Sequence, residues 1–260
     1  KFMVKLPTLV EMLKAGVHFG HQKSRWHPKM EKFIFTTRNS VHIIDLVKTV
    51  EELTKTLDYV KTLTSSGKVI LFVGTKHQAK ELIKAAAISC GAPYVTERWI
   101  GGLLTNFVEV KRRLKKYREL KEQVATGEIE KYIKKEQGEL KKKLAKMERY
   151  LSGLIDLKNM PDALYIADMR VDKTALNEAL RKEVPVVAVS DSNTNPDKVQ
   201  HAIPANDDAV NSIKMIADLI AEAVKEGKIE WDKKQAEVPV VKKQEVVKKE
   251  HKARKKEESL

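Results

Sequence analysis

Four groups of residues have the types and spacing to do chemistry. The first is Gly74-Thr75-Lys76, set where the apolar run Val69-Ile-Leu-Phe-Val73 gives way to a helical segment. In doubly wound folds a strand's carboxyl end before a helix N-terminus is where phosphates bind. A Walker loop needs GxxxxGKS/T and a dinucleotide site needs GxGxxG, and neither pattern is present. A close turn that lets strand and helix pack is the favoured reading, with a nucleotide in the crevice as the alternative.

The second group is His18, His21 and His27, in a loop with glycine, proline, two cations and an indole. With Asp191, Asp197 or His201 brought nearby, they could converge on a transition metal, which needs three or four ligands. No HExxH and no His/Cys pair supports that reading. The histidines are expected instead to donate to phosphates or backbone carbonyls, and neither metal nor cofactor is assigned. The third group would be nucleophiles. Cys90 follows the alanine-rich face Ala85, Ala86, Ala87 and reads as a small core residue. Asp45, Asp168 and Asp191 fall near strand ends, where carboxylates cap helices, and no Ser-His-Asp arrangement with supporting motifs accompanies them. No enzyme signature is found.

The fourth group differs. Arg98-Trp-Ile-Gly-Gly-Leu-Leu-Thr-Asn106 joins an arginine, an indole, the paired glycines Gly101 and Gly102, and the small polar Thr105 and Asn106. It precedes a basic helix carrying Lys111, Arg112 and Arg113. Glycines let a backbone approach a phosphate, and arginine grips one bidentately. A second cluster holds Lys23, Arg25, Trp26, Lys29, Lys32, Arg38 and Asn39. Trp26 and Trp99 serve equally as half-buried packing anchors, and the two roles are compatible.

The elements that position these groups follow from hydrophobic periodicity. Residues 8–15 predict a short helix capped by Thr8 and Glu11 and stopped by Gly16. Phe33 to Thr37 and Val41 to Ile44 predict two strands joined by a tight turn, and residues 47–66 a helix. Apolar strands at 69–73, 93–95, 163–167 and 185–190 alternate with helices at 77–89, 173–182 and 209–226. That alternation means an α/β fold of three layers, with a mostly parallel sheet covered on both faces. Residues 103–154 break the pattern: narrow apolar stripes (Leu103, Phe107, Val110, Leu114, Tyr117; Leu140, Leu144, Met147, Leu151, Leu154) predict an inserted antiparallel coiled-coil hairpin. The sheet domain would then comprise 8–102 and 155–232, and 233–260 would form a basic, mobile tail.

Composition narrows the function. The 260 residues carry a formal net charge of +14 and a hydrophobic content of 42%, enough for a real core. The charge is uneven: 15 Lys/Arg against 7 Asp/Glu over residues 111–150, but 9 against 15 over 151–232. Basic segments suit a polyanion, because each cation on a phosphate releases condensed counterions. One cysteine excludes an intramolecular disulfide framework. No apolar run approaches the ~20 residues of a membrane span, and Lys1 to Val10 has no signal-peptide pattern. A soluble protein of a reducing compartment is expected, with no membrane partner.

Several blocks are specific to one family: Met12-Leu-Lys-Ala-Gly-Val-His-Phe-Gly-His21, Trp26-His-Pro-Lys-Met30, Arg38-Asn39 with Val41-His-Ile-Ile-Asp45, Leu71-Phe-Val-Gly-Thr-Lys76, the Arg98 to Asn106 loop, and Pro161-Asp-Ala-Leu164. They run in order from about residue 8 to about residue 230. The chain resembles the bacterial form of the second universal small-subunit ribosomal protein family. The resemblance implies a flavodoxin-like sheet with a protruding coiled-coil hairpin, and a cytoplasmic, non-enzymatic protein. It implies a place near the head–body junction of the small subunit, contact with ribosomal RNA, and help in docking the OB-repeat, mRNA-binding ribosomal protein. The segment from His18 through His21 and Lys23 to Arg25, the pair Arg38-Asn39 and the Arg98 to Asn106 loop would face RNA or brace segments that do. Recognition would rest on RNA shape more than on base edges.

Overall fold

Helix α1 (Leu9–Ala15) starts and stops as its sequence dictates: Thr8 and Glu11 form a reciprocal capping box, and Gly16 closes the helix in the left-handed region. The structure, a computed structural model, describes the backbone of residues 5–257 and the side chains of residues 5–235. After α1 the chain makes β1 (Phe19–Gln22), β2 (Ile34–Arg38) and β3 (Val41–Ile44), an antiparallel sheet in the order β1-β3-β2. The β2–β3 turn runs through Asn39 and Ser40 at φ 48° and 61°, the left-handed pair that matches hairpin twist. Strand β1 was not anticipated, because Gly20 and His21 leave it no apolar alternation to read. Helix α2 (Leu46–Thr64) is capped by Asp45, whose carboxylate accepts from the Val47 N–H at 3.0 Å.

The main sheet holds β4 (Ile70–Val73), β5 (Tyr94–Val95), β6 (Ala163–Ile166), β7 (Val186–Ser190) and β8 (His201–Pro204). All four pairings are parallel, in the order β5-β4-β6-β7-β8. Counted within this sheet the order is 2-1-3-4-5, consistent with a flavodoxin-like fold, whose ligand crevice lies where the order reverses, between β4 and β6. Strand β8 also escaped prediction: it is an edge strand that ends in proline, and edges tolerate proline.

Strand side chains alternate between two cores. Ile70, Phe72, Tyr165, Val187 and Ile203 pack under α2, α3 (Lys80–Cys90) and α7 (Val210–Glu257). Leu71, Val73, Leu164, Ile166 and Ala188 pack on the other face with α6 (Lys173–Arg181) and two inserted helices, α4 (Phe107–Ala125) and α5 (Lys134–Leu151). Val110, Leu114 and Tyr117 of α4 and Leu151 of α5 belong to that second core, so the roots of both helices cover the sheet. Leu120 and Ile129, farther along the insertion, are also buried. Cys90 is buried in the first core, and burial pushes its thiol up, as befits an inert packing residue. Of the basic tail expected after residue 232, only 233–235 have described side chains, and 258–260 lie outside the described residues.

Candidate nucleic-acid interface

The crevice at the carboxyl ends of β4 and β6 is packed with the chain's own charges. Gly74 is there for a close approach: a Cβ would lie 2.6 Å from Ile83 Cγ1. Thr75 donates its N–H and hydroxyl to Asp172 at 3.2 and 2.8 Å. The Lys76 ammonium lies 2.9 Å from Asp168, 2.8 Å from Asp207 and 2.7 Å from Asp208, and it donates to the Asp207 carbonyl at 2.7 Å. A lysine enclosed in this way has no free charge for a phosphate, and the surrounding carboxylates repel one.

The electrostatics record that crowding. Burial alone would depress the Lys76 ammonium, but Asp207, Asp208 and Asp168 together hold it above its ordinary value. Burial, reinforced by Asp168 and Asp191, pushes Asp207 up to about 7 against the pull of Lys76. Burial likewise raises Asp172 to about 6, opposed by the Thr75 donors. His21 bridges Asp191 (3.1 Å) and Asp208 (3.3 Å) and is raised, first by Asp191. Its Nδ1 meets Asp191 as an ion pair, without the alignment of a hydrogen bond.

Of the residues considered as metal ligands, the structure unites only His21 with Asp191, and adds Asp207. One ligand atom from each lies within 4.8 Å of the others. The remaining candidates are elsewhere engaged. His18 packs on Phe19 at 4.0 Å, and burial lowers it. His27 Nδ1 accepts from the Lys29 N–H at 3.2 Å, Asp197 pairs with Lys29 and Lys32, and His201 stacks on Tyr59. Asp207 escaped notice because the strand before it was not read.

The first basic cluster lies around the antiparallel sheet. Lys23, Arg25, Lys29, Lys32, Arg38 and Asn39 are exposed. Lys29 and Lys32 share Asp197 at 3.3 and 3.4 Å, whereas Lys23, Arg25 and Arg38 have no carboxylate partner among the described residues. Trp26 is half-buried, its ring 5.3 Å from that of His42.

The loop from Arg98 to Asn106 wraps around a carboxylate of its own. Glu178 Oε1 accepts from Trp99 Nε1 at 3.0 Å and the Gly102 N–H at 2.8 Å. Its Oε2 accepts from the Leu104 and Thr105 N–H groups and the Thr105 hydroxyl, at 3.1, 3.2 and 3.1 Å. Burial works against the Glu178 charge, but these donors outweigh it and hold the carboxyl low. The donors of Trp99, Gly102 and Thr105 therefore face inward. Arg98, Gly101 and Asn106 stay exposed, as do Lys111 and Arg112, the latter paired to Glu109 at 3.0 Å. Glu178 was missed, although a carboxylate between Leu176 and Ala179 on the buried face of α6 was a legible oddity.

Known proteins share this sequence over most of its length. A family model described as ribosomal protein S2 matches residues 12–227. The chain is 48% identical over 221 residues to the small ribosomal subunit protein uS2 of Endomicrobium trichonymphae, covering 85% of this chain and 91% of that one. The protein of the same name in Coprothermobacter proteolyticus is 48% identical over 221 residues, covering 85% and 82%. That in Bdellovibrio bacteriovorus is 44% identical over 227 residues, covering 87% and 72%.

Proposed function

The chain belongs to the ribosomal protein S2 family, a structural, non-enzymatic part of the small ribosomal subunit in translation, and we propose that it binds ribosomal RNA through its two exposed basic loops. The observation that carries this reading is the contrast in charge between surface and crevice. Lys23, Arg25, Arg38 and Arg98 stand exposed without carboxylate partners among the described residues, while the half-buried cation Lys76 is fully engaged. Free cations release counterions on meeting phosphate, and neutralised ones do not. A nucleotide in the crevice is disfavoured by the acids that line it.

The finer placement belongs to the same proposal. The protein sits near the head–body junction of the cytoplasmic small subunit and helps dock the OB-repeat, mRNA-binding ribosomal protein. Helices α4 and α5 act as an antiparallel coiled-coil arm, a reading supported by Leu120 and Ile129, buried beyond both cores of the sheet domain. No helix of the described residues is long and apolar enough to cross a membrane. The experiment is rebinding of the full chain to small subunits depleted of it, across a salt series. Saturable one-to-one rebinding, with log affinity falling linearly in log salt, is expected. Arg25→Ala combined with Arg38→Ala should weaken rebinding and flatten the slope by about two contacts' worth. Equal affinity for any RNA, with no saturable rebinding, overturns the proposal.

A further inference from the structure

Where the Arg98 loop meets the roots of α4 and α5, the surface holds a recess of about 510 Å³. That lies within the size range of small-ligand sites. Its charged lining is Arg98, Arg113 and Lys146, with no carboxylate among the lining residues. Arg98 and Lys146 have no carboxylate partner among the described residues, and Arg113 reaches Glu109 only at 4.0 Å. Glu97, beside Arg98 in sequence, is neutralised by Arg149 at 3.0 Å and Lys80 at 3.4 Å. The apolar lining includes Ile100, Met147 and the half-buried ring of Tyr150. At the rim, a Cβ added to Gly101 would meet nothing within 4 Å.

Three cations without an acid select an anion, and an apolar wall with an aromatic ring selects a flat, weakly polar body. A nucleotide unites the two in one ligand. We propose that this recess takes one unpaired RNA nucleotide, its base against Tyr150 and Met147 and its phosphates on Arg98, Arg113 and Lys146. The inference rests on the RNA-binding reading and deepens it: here the protein reads a splayed single-stranded base, where duplex RNA is read by shape. Glu178 contributes indirectly, because it holds the Trp99 indole N–H and the loop backbone away from the recess.

The test uses the full chain and three labelled probes: an eight-residue oligoadenylate, an abasic oligomer of equal length, and a short RNA duplex. Tyr150→Ala should weaken oligoadenylate about tenfold, the range of a lost base–aromatic stack, and leave the abasic oligomer and duplex unchanged. Gly101→Leu, which fills open space and removes no charge, should weaken oligoadenylate more than the abasic oligomer, with an unaltered melting temperature. Lys146→Ala should weaken all three probes. Equal binding of abasic oligomer and oligoadenylate by the unmodified chain overturns the proposal, since phosphate alone would suffice. An acidic aromatic peptide that binds more tightly than oligoadenylate, and loses that affinity with Tyr150→Ala, overturns it in favour of a protein ligand. Rebinding to depleted subunits separates the two readings. If unmodified chain rebinds saturably while Tyr150→Ala and Gly101→Leu keep wild-type oligoadenylate affinity, the recess fails and the RNA reading stands. If unmodified chain does not rebind, the reading beneath it fails.

Discussion

Two loops of this chain are written alike: Gly74-Thr-Lys76 and Arg98-Trp-Ile-Gly-Gly102 each put glycine beside a cation at the approach to a helix. The fold treats them oppositely. At the first, the cation is enclosed by Asp168, Asp207 and Asp208. At the second, a buried acid takes the backbone donors and leaves the arginine outside. Whether such a loop meets a phosphate is thus decided by where the chain places its own carboxylates. Those lie far off in sequence: Lys76 and Asp207 are 131 residues apart, and Gly102 and Glu178 are 76 apart.

The sharpest way to break this comparison is to remove the enclosed cation. Lys76→Met leaves Asp168 and Asp207, at 4% and 2% side-chain exposure, without their shared counterion. Breaking a buried ion pair from one side costs about 3–5 kcal/mol. The denaturant midpoint should fall accordingly, with affinity for RNA lost only through unfolding. A stable Lys76→Met chain with weakened RNA binding would mean that Lys76 is an RNA contact after all.

The next largest effect should come from the other loop. Glu178→Gln keeps the shape but turns an amide N–H₂ toward donors and removes the charge that five hydrogen bonds address. Hydrogen bonds to a charged group are worth about 1.5–3 kcal/mol each, and an unsatisfied buried donor costs about 1–3. Partial relaxation should leave a net loss of about 3 kcal/mol in chemical denaturation, with the Trp99 emission shifted as its indole N–H loses the carboxylate. An unshifted spectrum at unchanged stability would show that the loop is held by packing alone.

The legible part of the molecule was local. The α1 capping box, the alternation of β4, β6 and β7 with helices, and the close turn at Gly74 arise from residues within a few positions of each other. So does the exposure of Lys23 and Arg25, in a polar stretch after Gly20, and of Arg38, at the mouth of the β2–β3 hairpin turn. Strands β1 and β8 lacked a period because histidine, glycine and proline interrupt them. Missing β8 hid the loop at its carboxyl end, and with that loop Asp207 and Asp208, the acids that decide the fate of Lys76. Metal ligation by His18 or His27 was a question of convergence, which spacing alone does not answer; the fold sends one to Phe19 and the other to its own loop.

The smallest expected effect separates the two regions by pH. In the crevice, Asp207 is raised to about 7, by burial first and then by Asp168 and Asp191, and His21 is raised above 6.5 by Asp191. Both groups hold a proton more tightly folded than unfolded. The His21 contribution is complete below pH 6.5 and is lost as pH rises through its raised value. The Asp207 contribution is greatest below about 4 and is lost as pH rises through about 7. Stability should therefore fall from about pH 4 to about pH 7 on account of Asp207, and above pH 6.5 on account of His21, with a slope of at most about 1.4 kcal/mol per pH unit for each proton released. For a chain of this size that is a few degrees of melting temperature. Glu178 runs the other way: its depressed carboxyl supplies stability above about pH 4.5 that is lost as pH falls through the folded value. Asp207→Asn should flatten the neutral slope and leave the acid limb intact, while Glu178→Gln should do the reverse. Melting curves from pH 3.5 to 8.5 would show it, and a single variant that flattened both limbs would mean that the two regions unfold as one electrostatic unit.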